Sequence, residues 1–310
     1  RRVKGKNGRC AARALFGDRM RVSATQIEKF YLCRFQYFCR YGLNVRERRA
    51  AELNALEYGS LMHFLLQRLF QNIGAEAVCA MKPEELRRRI VGFLDEYVAM
   101  MFGGLENRTP RFTYLVGRIA DAARVVAGHI ARELCQSGFR PVDFELEIGG
   151  AVGPLRIALP GGGEVSVDGK IDRVDLMDRG GKRYLRIVDY KTGRKEFRLS
   201  DILYGINMQM LIYLAALCEN GGGRYGDFRP AGVLYAPANR PSVSAGRDAP
   251  PEALRVKAER QLRMDGLVLD DPQVIAAMDR EAKGRYIPVA LKGGLPSRRD
   301  HVVSPAELKA

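Results

Sequence analysis

The chain has 310 residues, 46% of them hydrophobic, and its 51 basic and 36 acidic side chains give a formal net charge of +15. This apolar content supports a substantial core in one large or two small domains. Six scattered cysteines without a C-x-x-C pair exclude a secreted disulfide framework, and no signal peptide or membrane-spanning apolar run occurs. We therefore expect a cytoplasmic protein that does not contact membranes and has a polyanionic partner.

The N-terminal half is predicted to be helical. Residues 1–22 are basic and are expected to be a poorly ordered lead-in. Residues 23–140 contain an aromatic helix capped by Ser23, a helix that carries Gly59 and His63 on one face, and two further helices. The aromatic helix has an apolar face formed by Ile27, Phe30, Tyr31, Phe35 and Phe38. A lone histidine in such a helix is more often half-buried than functional.

The strongest chemical signal is a predicted β-hairpin over 165–190, with its turn at Gly180-Gly181. Because residues i and i+2 of a strand share a face, Asp189 and Lys191 point one way and Tyr190 the other. Asp172, on the first strand, can lie across the ladder from Asp189. Two such carboxylates suit a hard divalent cation such as Mg²⁺, and a lysine beside them suits phosphodiester hydrolysis.

Other interpretations of these carboxylates remain open. An acid-x-Lys triplet is common at the solvated end of a strand, so the pattern gains weight only from the buried run before it and from Asp172. Glu145 and Glu147 alternate with apolar neighbours in an earlier strand; one could support the site, but an exposed strand face explains both.

The regions after the hairpin are predicted from weaker signals. Gln209 and Tyr213 share one face of a helix over 199–218, where they could donate to phosphates or bases. The strands and this helix make residues 141–240 an α/β core. Residues 241–310 are expected to be a linker and an incomplete C-terminal segment. No phosphate-binding P-loop occurs, since Gly169-Lys170 is followed by Ile171.

The basic residues form two clusters that we interpret as a phosphate track, which binds backbone with little sequence preference. The alternative is a solvated surface that maintains solubility. The first cluster surrounds the hairpin and comprises Arg173, Arg179, Lys182, Arg183, Arg186, Arg194, Lys195 and Arg198. The second follows the aromatic helix and comprises Arg34, Arg40, Arg46, Arg48 and Arg49.

Four motifs in order, GSLMH, GKIDRVD, DYKTG and QMLIY, resemble the RecB-type branch of the PD-(D/E)XK nucleases. The resemblance covers roughly residues 23–236 and implies a restriction-endonuclease-like core, a central mixed sheet flanked by helices, that acts on DNA. It also implies metal ligation by His63, Asp172, Asp189 and the Tyr190 carbonyl, with Mg²⁺ or Mn²⁺ as the ion. Lys191 would be catalytic, together with Asp172 and Asp189. Gln209 and Tyr213 would contact the substrate.

A narrower resemblance lies in SATQIEKFYLCRFQYFCRYGL, from Ser23 to Leu43, which is similar to the start of the nuclease domain in AddB-type helicase–nuclease subunits. It implies a bacterial exonuclease for double-strand-break repair and recombination, with an AddA-type partner subunit. It also implies that Cys33 is the first ligand of a 4Fe–4S cluster whose other cysteines lie downstream. Since no cysteine follows Cys218, we expect this chain to be a piece that lacks them.

Two alternatives to this assignment remain. One is a stand-alone CRISPR-associated RecB-like exonuclease, which would share the nuclease motifs. The other is a catalytically silent module that binds DNA or docks a partner helicase. An intact set of Asp172, Asp189 and Lys191 argues against the silent module.

Overall fold

The computed structural model describes residues 17, 19–46, 55–103, 109–159, 163–193, 196–244 and 249–308. The predicted disorder of residues 1–16 and the basic residues Arg48, Arg49, Arg194 and Lys195 lie outside this described part. The strands are β1 Arg19–Ser23, β2 Arg140–Ile148, β3 Leu155–Ala158, β4 Glu164–Arg179, β5 Lys182–Lys191, β6 Arg229–Pro237, β7 Asp265–Leu269, β8 Leu291–Lys292, β9 Leu295–Pro296 and β10 Val302–Val303.

Helices precede, connect and follow these strands. The first half contains α1 Ala24–Leu32, α2 Arg34–Tyr37, a π-helical turn Phe38–Gly42, α3 Ala55–Asn72, α4 Ala75–Ala80, α5 Pro83–Phe102 and α6 Pro110–Gln136. The second half contains α7 Leu199–Leu203, α8 Gln209–Asn220, α9 Gly222–Tyr225, α10 Pro251–Gln261, α11 Pro272–Met278 and a 3₁₀ turn Arg299–His301.

In the described chain, eight strands form one mixed sheet with the path β1-β4-β5-β6-β7-β10, and β2 and β3 also pair with β4. The β4–β5 and β6–β7 pairs are antiparallel, whereas β5 and β6 are parallel. Helices α3, α5 and α6 pack on one face of the sheet, and α8 packs on the other. This arrangement confirms the predicted restriction-endonuclease-like fold.

The predicted hairpin is confirmed as β4 and β5. Its turn consists of Gly180 and Gly181, whose φ angles of 58° and 70° are those that glycine adopts without strain. Successive β5 side chains alternate between the two faces, with Leu185 and Ile187 towards α8 and Val188 and Tyr190 towards α6. The buried strand therefore fixes which way the residues at its end point.

Three elements differ from the sequence expectations. Residues 19–22, expected in the disordered lead-in, belong to β1 and pair in parallel with β4. The C-terminal segment contributes two strands to the sheet, since β7 pairs with β6 and the two-residue edge strand β10 pairs with β7. The helix predicted over 199–218 is two helices, separated at Gly205 and at Asn207, whose φ values are 74° and 62°. The sheet thus crosses the predicted boundaries at 140 and 240.

The aromatic helix is shorter than predicted and open to solvent. Ser23 forms the expected capping box with Gln26, but the helix ends at Cys33, which adopts extended backbone angles. Much of its aromatic face is exposed, since Phe35 is 76% exposed and Tyr31 is 57% exposed, although Ile27 packs against the core. None of the helices in the described ranges is long and apolar enough to cross a membrane.

A buried charge network joins the hairpin to α6. Arg173 and Arg186 are 1% and 0% exposed, and both donate to Asp175 at 2.8 Å. Arg186 also donates to Glu133 of α6 at 2.7 Å, and Arg173 donates to the Tyr190 hydroxyl at 3.1 Å. The prediction that these two arginines belong to a phosphate track is therefore wrong, because neither can reach solvent.

Breaking this network is expected to destabilise the fold strongly. Asp175→Ala leaves Arg173 and Arg186 without their shared carboxylate, and an uncompensated buried charge costs about 3–5 kcal/mol. Urea denaturation followed by circular dichroism measures the loss. The matched control is Asp178→Ala, which removes the exposed partner of Arg183 in the same hairpin and should not move the midpoint measurably. Equal midpoints for the two variants would contradict the structural role of the network.

Candidate active site

The site lies where β5 ends. Asp189 and Lys191 share a face as predicted, and the Lys191 Nζ lies 2.5 Å from the Asp189 Oδ2. The Tyr190 side chain points to the opposite face, where its hydroxyl meets Arg173. The Asp189 side chain is 3% exposed and that of Lys191 is 29% exposed. The lysine therefore provides the solvent-accessible end of a largely buried ion pair.

Asp172 lies across the ladder from Asp189, as the hairpin predicts. Its Oδ2 accepts a 2.6 Å hydrogen bond from the backbone N–H of Tyr190. This bond fixes the carboxylate against the neighbouring strand and leaves Oδ1 directed towards α3. The two aspartates are thus held together by the strand pairing.

His63 is brought to the hairpin by α3. Its Nε2 lies 2.8 Å from the Tyr190 carbonyl, and its Nδ1 lies 3.3 Å from the Asp172 Oδ1. A carbonyl only accepts, so Nε2 carries a proton in this arrangement. In the neutral ring, Nδ1 would then have its lone pair facing the carboxylates, ready to ligate a metal. Ligation by the Tyr190 carbonyl itself stays a prediction, since in this arrangement it accepts from His63.

Glu145 is a site residue that the sequence pattern does not single out. It has a φ of 53°, uncommon for a non-glycine residue. Its Oε1 lies 3.8 Å from the His63 Nδ1, and its Oε2 pairs with the Lys170 Nζ at 2.8 Å. The alternating sequence pattern makes both Glu145 and Glu147 candidates. The positive φ of Glu145, which Glu147 does not share, distinguishes the two.

Three side chains form a group that fits a divalent cation: ligand atoms of His63, Glu145 and Asp172 lie within 4.8 Å of one another. Two carboxylates and an imidazole suit Mg²⁺ or Mn²⁺. Asp189 lies outside this group, and its Oδ2 contacts the Lys191 Nζ. Its role as a ligand stays a prediction that requires the aspartate to exchange part of this ion pair for the metal.

The electrostatics of the site favour an added cation. Burial and the negative charge of Asp172 raise the pKa of Asp189 to about 6, although Lys191 and His63 act in the opposite direction. Burial alone would lower the pKa of His63, but Asp172, the Tyr190 carbonyl and Glu145 raise it to about 9. The Asp189 charge likewise raises the pKa of Lys191 despite its burial. The site thus attracts protons where a metal would bind.

The other residues named from the sequence motifs are Tyr213, Gln209 and Gly59. Tyr213 is 3% exposed, and a Cβ at Gly169 would overlap its ring. Its hydroxyl bonds the Lys170 backbone and the Gln209 side chain. In this conformation, Tyr213 therefore supports β4 and has no surface for direct substrate contact, whereas Gln209 is half-buried at the start of α8. Gly59 lies where an added Cβ would be 3.5 Å from the Thr192 Oγ1, an ordinary contact.

This chain is similar to known proteins over most of its length. The family model of the PD-(D/E)XK nuclease superfamily matches residues 21–290. A protein of Clostridium acetobutylicum, named as a subunit of an ATP-dependent helicase/deoxyribonuclease, is 33% identical over 285 residues, covering 90% of this chain and 25% of that protein. Proteins of the same name from Clostridium tetani and Symbiobacterium thermophilum are each 32% identical, covering 94% and 97% of this chain and 26% of each protein. The chain therefore spans about a quarter of the length of these curated relatives.

Metal binding should release protons, and the number released at neutral pH should depend on His63. At about pH 7.5, a His63 with a pKa of about 9 is protonated, and it must lose that proton to become a ligand. We expect binding of Mn²⁺ to release about one proton per ion, and more near pH 5.5, where Asp189 is also partly protonated. Calorimetry in buffers of different ionisation enthalpy measures the number.

Three variants are matched to this experiment. His63→Gln should bring the release at about pH 7.5 close to zero. Glu145→Gln should weaken Mn²⁺ binding by about 10- to 100-fold, whereas Glu147→Gln, two residues along the same strand, should leave it unchanged. Unaltered proton release in His63→Gln would exclude His63 as the protonated ligand.

Proposed function

Because this chain belongs to the PD-(D/E)XK nuclease superfamily, we propose that it is a Mg²⁺-dependent DNA exonuclease domain, in which Mn²⁺ can substitute. The observation that carries the proposal is the meeting of His63, Asp172, Asp189 and Lys191 at the end of one strand. These residues come from a helix and two strands, and a histidine, two carboxylates and a lysine in one place suit metal-dependent hydrolysis of a phosphodiester.

The residues divide the chemistry between them. His63, Asp172 and Glu145 would hold the ion, with Asp189 as a further ligand. The bound ion would activate the attacking water and neutralise charge on the scissile phosphate. Lys191 has a raised pKa and is therefore an ammonium group, so its role is to stabilise negative charge on the phosphate and not to accept a proton. Asp189 holds that ammonium in place.

The larger assembly is also part of the proposal. The relatives are named as helicase/deoxyribonuclease subunits. We propose that this chain acts in a bacterial, cytoplasmic helicase–nuclease complex for double-strand-break repair and recombination, with an AddA-type partner. The motor would reside outside this chain, whose sequence has no P-loop. Gln209 is the substrate-contacting candidate of the trailing motif, and Tyr213 supports it.

The iron–sulfur cluster does not fit the described residues on their own. A 4Fe–4S cluster needs four thiolates, and within the described part of the chain Cys33 belongs to no group of metal-ligating side chains. Cys33 is nevertheless exposed at the end of α1. We propose that Cys33 is one ligand of a cluster completed by cysteines beyond this chain.

The nuclease assignment predicts a loss of cleavage without a loss of binding. Asp189→Asn removes a negative charge from the metal site and the counter-ion of Lys191, so cleavage of linear DNA with Mg²⁺ should fall by about a hundredfold or more. DNA affinity measured by fluorescence anisotropy in EDTA should change little. Glu147→Gln serves as the control with full activity. Substantial cleavage by Asp189→Asn would refute the assignment of the site, and a wild-type chain that binds DNA but never cleaves it would indicate a silent module.

The cluster proposal predicts different iron contents for two proteins. This chain, purified without oxygen, should contain no stoichiometric iron. The full-length parent should be brown and should lose its iron on Cys33→Ser but not on Cys218→Ser, a change at another exposed cysteine. Iron analysis and the visible absorption spectrum provide the measurement. Retention of iron by the Cys33→Ser parent would disprove the ligand assignment.

A further inference from the structure

A cavity of about 950 Å³ begins at Lys191 and extends away from the carboxylates. One wall follows the end of β5 through Thr192 and Gly193 to the segment 196–200. Another follows the end of β6 to residues 239–242, and the far wall is formed by the end of α10, the start of β7 and the turn 298–301. The cavity is thus continuous with the catalytic lysine but lies outside the metal site.

The walls of this cavity are rich in arginine. With Lys191, six cationic side chains line it, and the other five are Arg198, Arg240, Arg260, Arg263 and Arg298. Three acidic residues share the lining, so six cations against three acids leave an excess of three positive charges. Glu196 pairs with Arg198 at 2.9 Å and Asp300 pairs with Arg298 at 3.1 Å, but both pairs are exposed and therefore weak. Asp265 accepts from the Phe197 N–H at 2.9 Å. The space between the walls is therefore positively charged.

The charge is most concentrated at the far end, in the cluster of Arg260, Arg263 and Arg298. Burial lowers the pKa of Arg263, and the charges of Arg298 and Arg260 lower it further. The three arginines line the same end of the cavity, where like charges repel one another and an anion between them would relieve the repulsion. Arg260 and Arg263 sit at the end of α10 and just after it, and Arg298 comes from the opposite turn. The three cations face the cavity from two sides.

We propose that this cavity binds the sugar–phosphate backbone of a single DNA strand, and that the three arginines at its far end clamp a phosphate remote from the scissile bond. The proposal rests on the nuclease function above and adds a binding subsite to it. A duplex is wider than its major groove, which is about 12 Å across. It is therefore too wide to enter a cavity of about 950 Å³. A single strand fits, and backbone contacts from arginine make its binding salt-dependent and sequence-tolerant.

The test measures binding and not cleavage. A fluorescein-labelled single-stranded oligonucleotide is titrated in EDTA by anisotropy at several salt concentrations. Each lost phosphate contact lowers the slope of log affinity against log salt by about 0.7 for single strands. Arg260→Ala with Arg298→Ala should therefore reduce the slope by about 1.4. Arg263 is left intact because its Nη1 also lies 3.5 Å from the Gly284 carbonyl.

A matched control removes the same charge elsewhere. Arg255 lies on α10 and Arg87 lies on α5, and neither side chain lines the cavity. Arg255→Ala with Arg87→Ala should leave the slope nearly unchanged. Equal slope changes in the two double variants would mean that only net charge matters, and the clamp would be disproved. An equal loss of duplex affinity in the cavity variant would overturn the single-strand assignment.

The outcomes separate this proposal from the function on which it rests. If Asp189→Asn loses cleavage but the cavity variant keeps the wild-type slope, the nuclease assignment holds and the clamp fails. If the salt dependence of DNA affinity becomes less steep in the cavity variant, but the wild-type chain never cleaves DNA with Mg²⁺ or Mn²⁺, the clamp holds and the nuclease assignment fails.

Discussion

The geometry of the candidate site depends on a buried network of charged side chains that lies away from the site itself. Arg173 and Arg186, neutralised by Asp175 and Glu133, tie β4 and β5 to α6 beneath the sheet. Arg173 also holds the Tyr190 hydroxyl, and the Tyr190 backbone contacts Asp172 through its N–H and His63 through its carbonyl. A buried ion network of this kind adds little net stability, but it specifies one arrangement, because any other would leave a charge unpaired. One tyrosine thereby links the buried charge network to His63 and Asp172 of the candidate site.

The catalytic face is electrostatically unfavourable without a cation. Asp172 and Asp189 are both buried, and the charge of Asp172 increases the cost of ionising Asp189. Lys191 and a protonated His63 offset part of this repulsion. A divalent ion would offset more of it, since it displaces the proton from His63 and brings two positive charges. Binding of a metal ion would therefore be favoured by the relief of repulsion between the carboxylates, in addition to the ligand bonds themselves.

The sequence predicted the hairpin because its signals are local: two glycines at the turn, an apolar run, and alternation that places Asp189 with Lys191. It could not distinguish buried arginines from exposed ones, since Arg173 and Arg186 are explained by carboxylates on another strand and on α6. Glu145 likewise needs a backbone angle that no pattern reveals. β7 was missed because Gly266 interrupts a short apolar run; its φ of 143° and close approach to β6 need a glycine inside a strand.

The parallel pairing of β5 with β6 has a consequence for how such an enzyme can diversify. Parallel strands end at the same edge, and the register places Lys191 beside Pro237. The segment that follows β6 therefore emerges next to Lys191 whatever the sequence of that segment. Substitutions or insertions at 239–244, or in the turn 298–301, would reshape the path of the substrate without altering the hairpin. Strand order thus separates the proposed reaction centre from the surface beside it, so these two segments are the positions at which we expect changes in sequence to alter substrate preference.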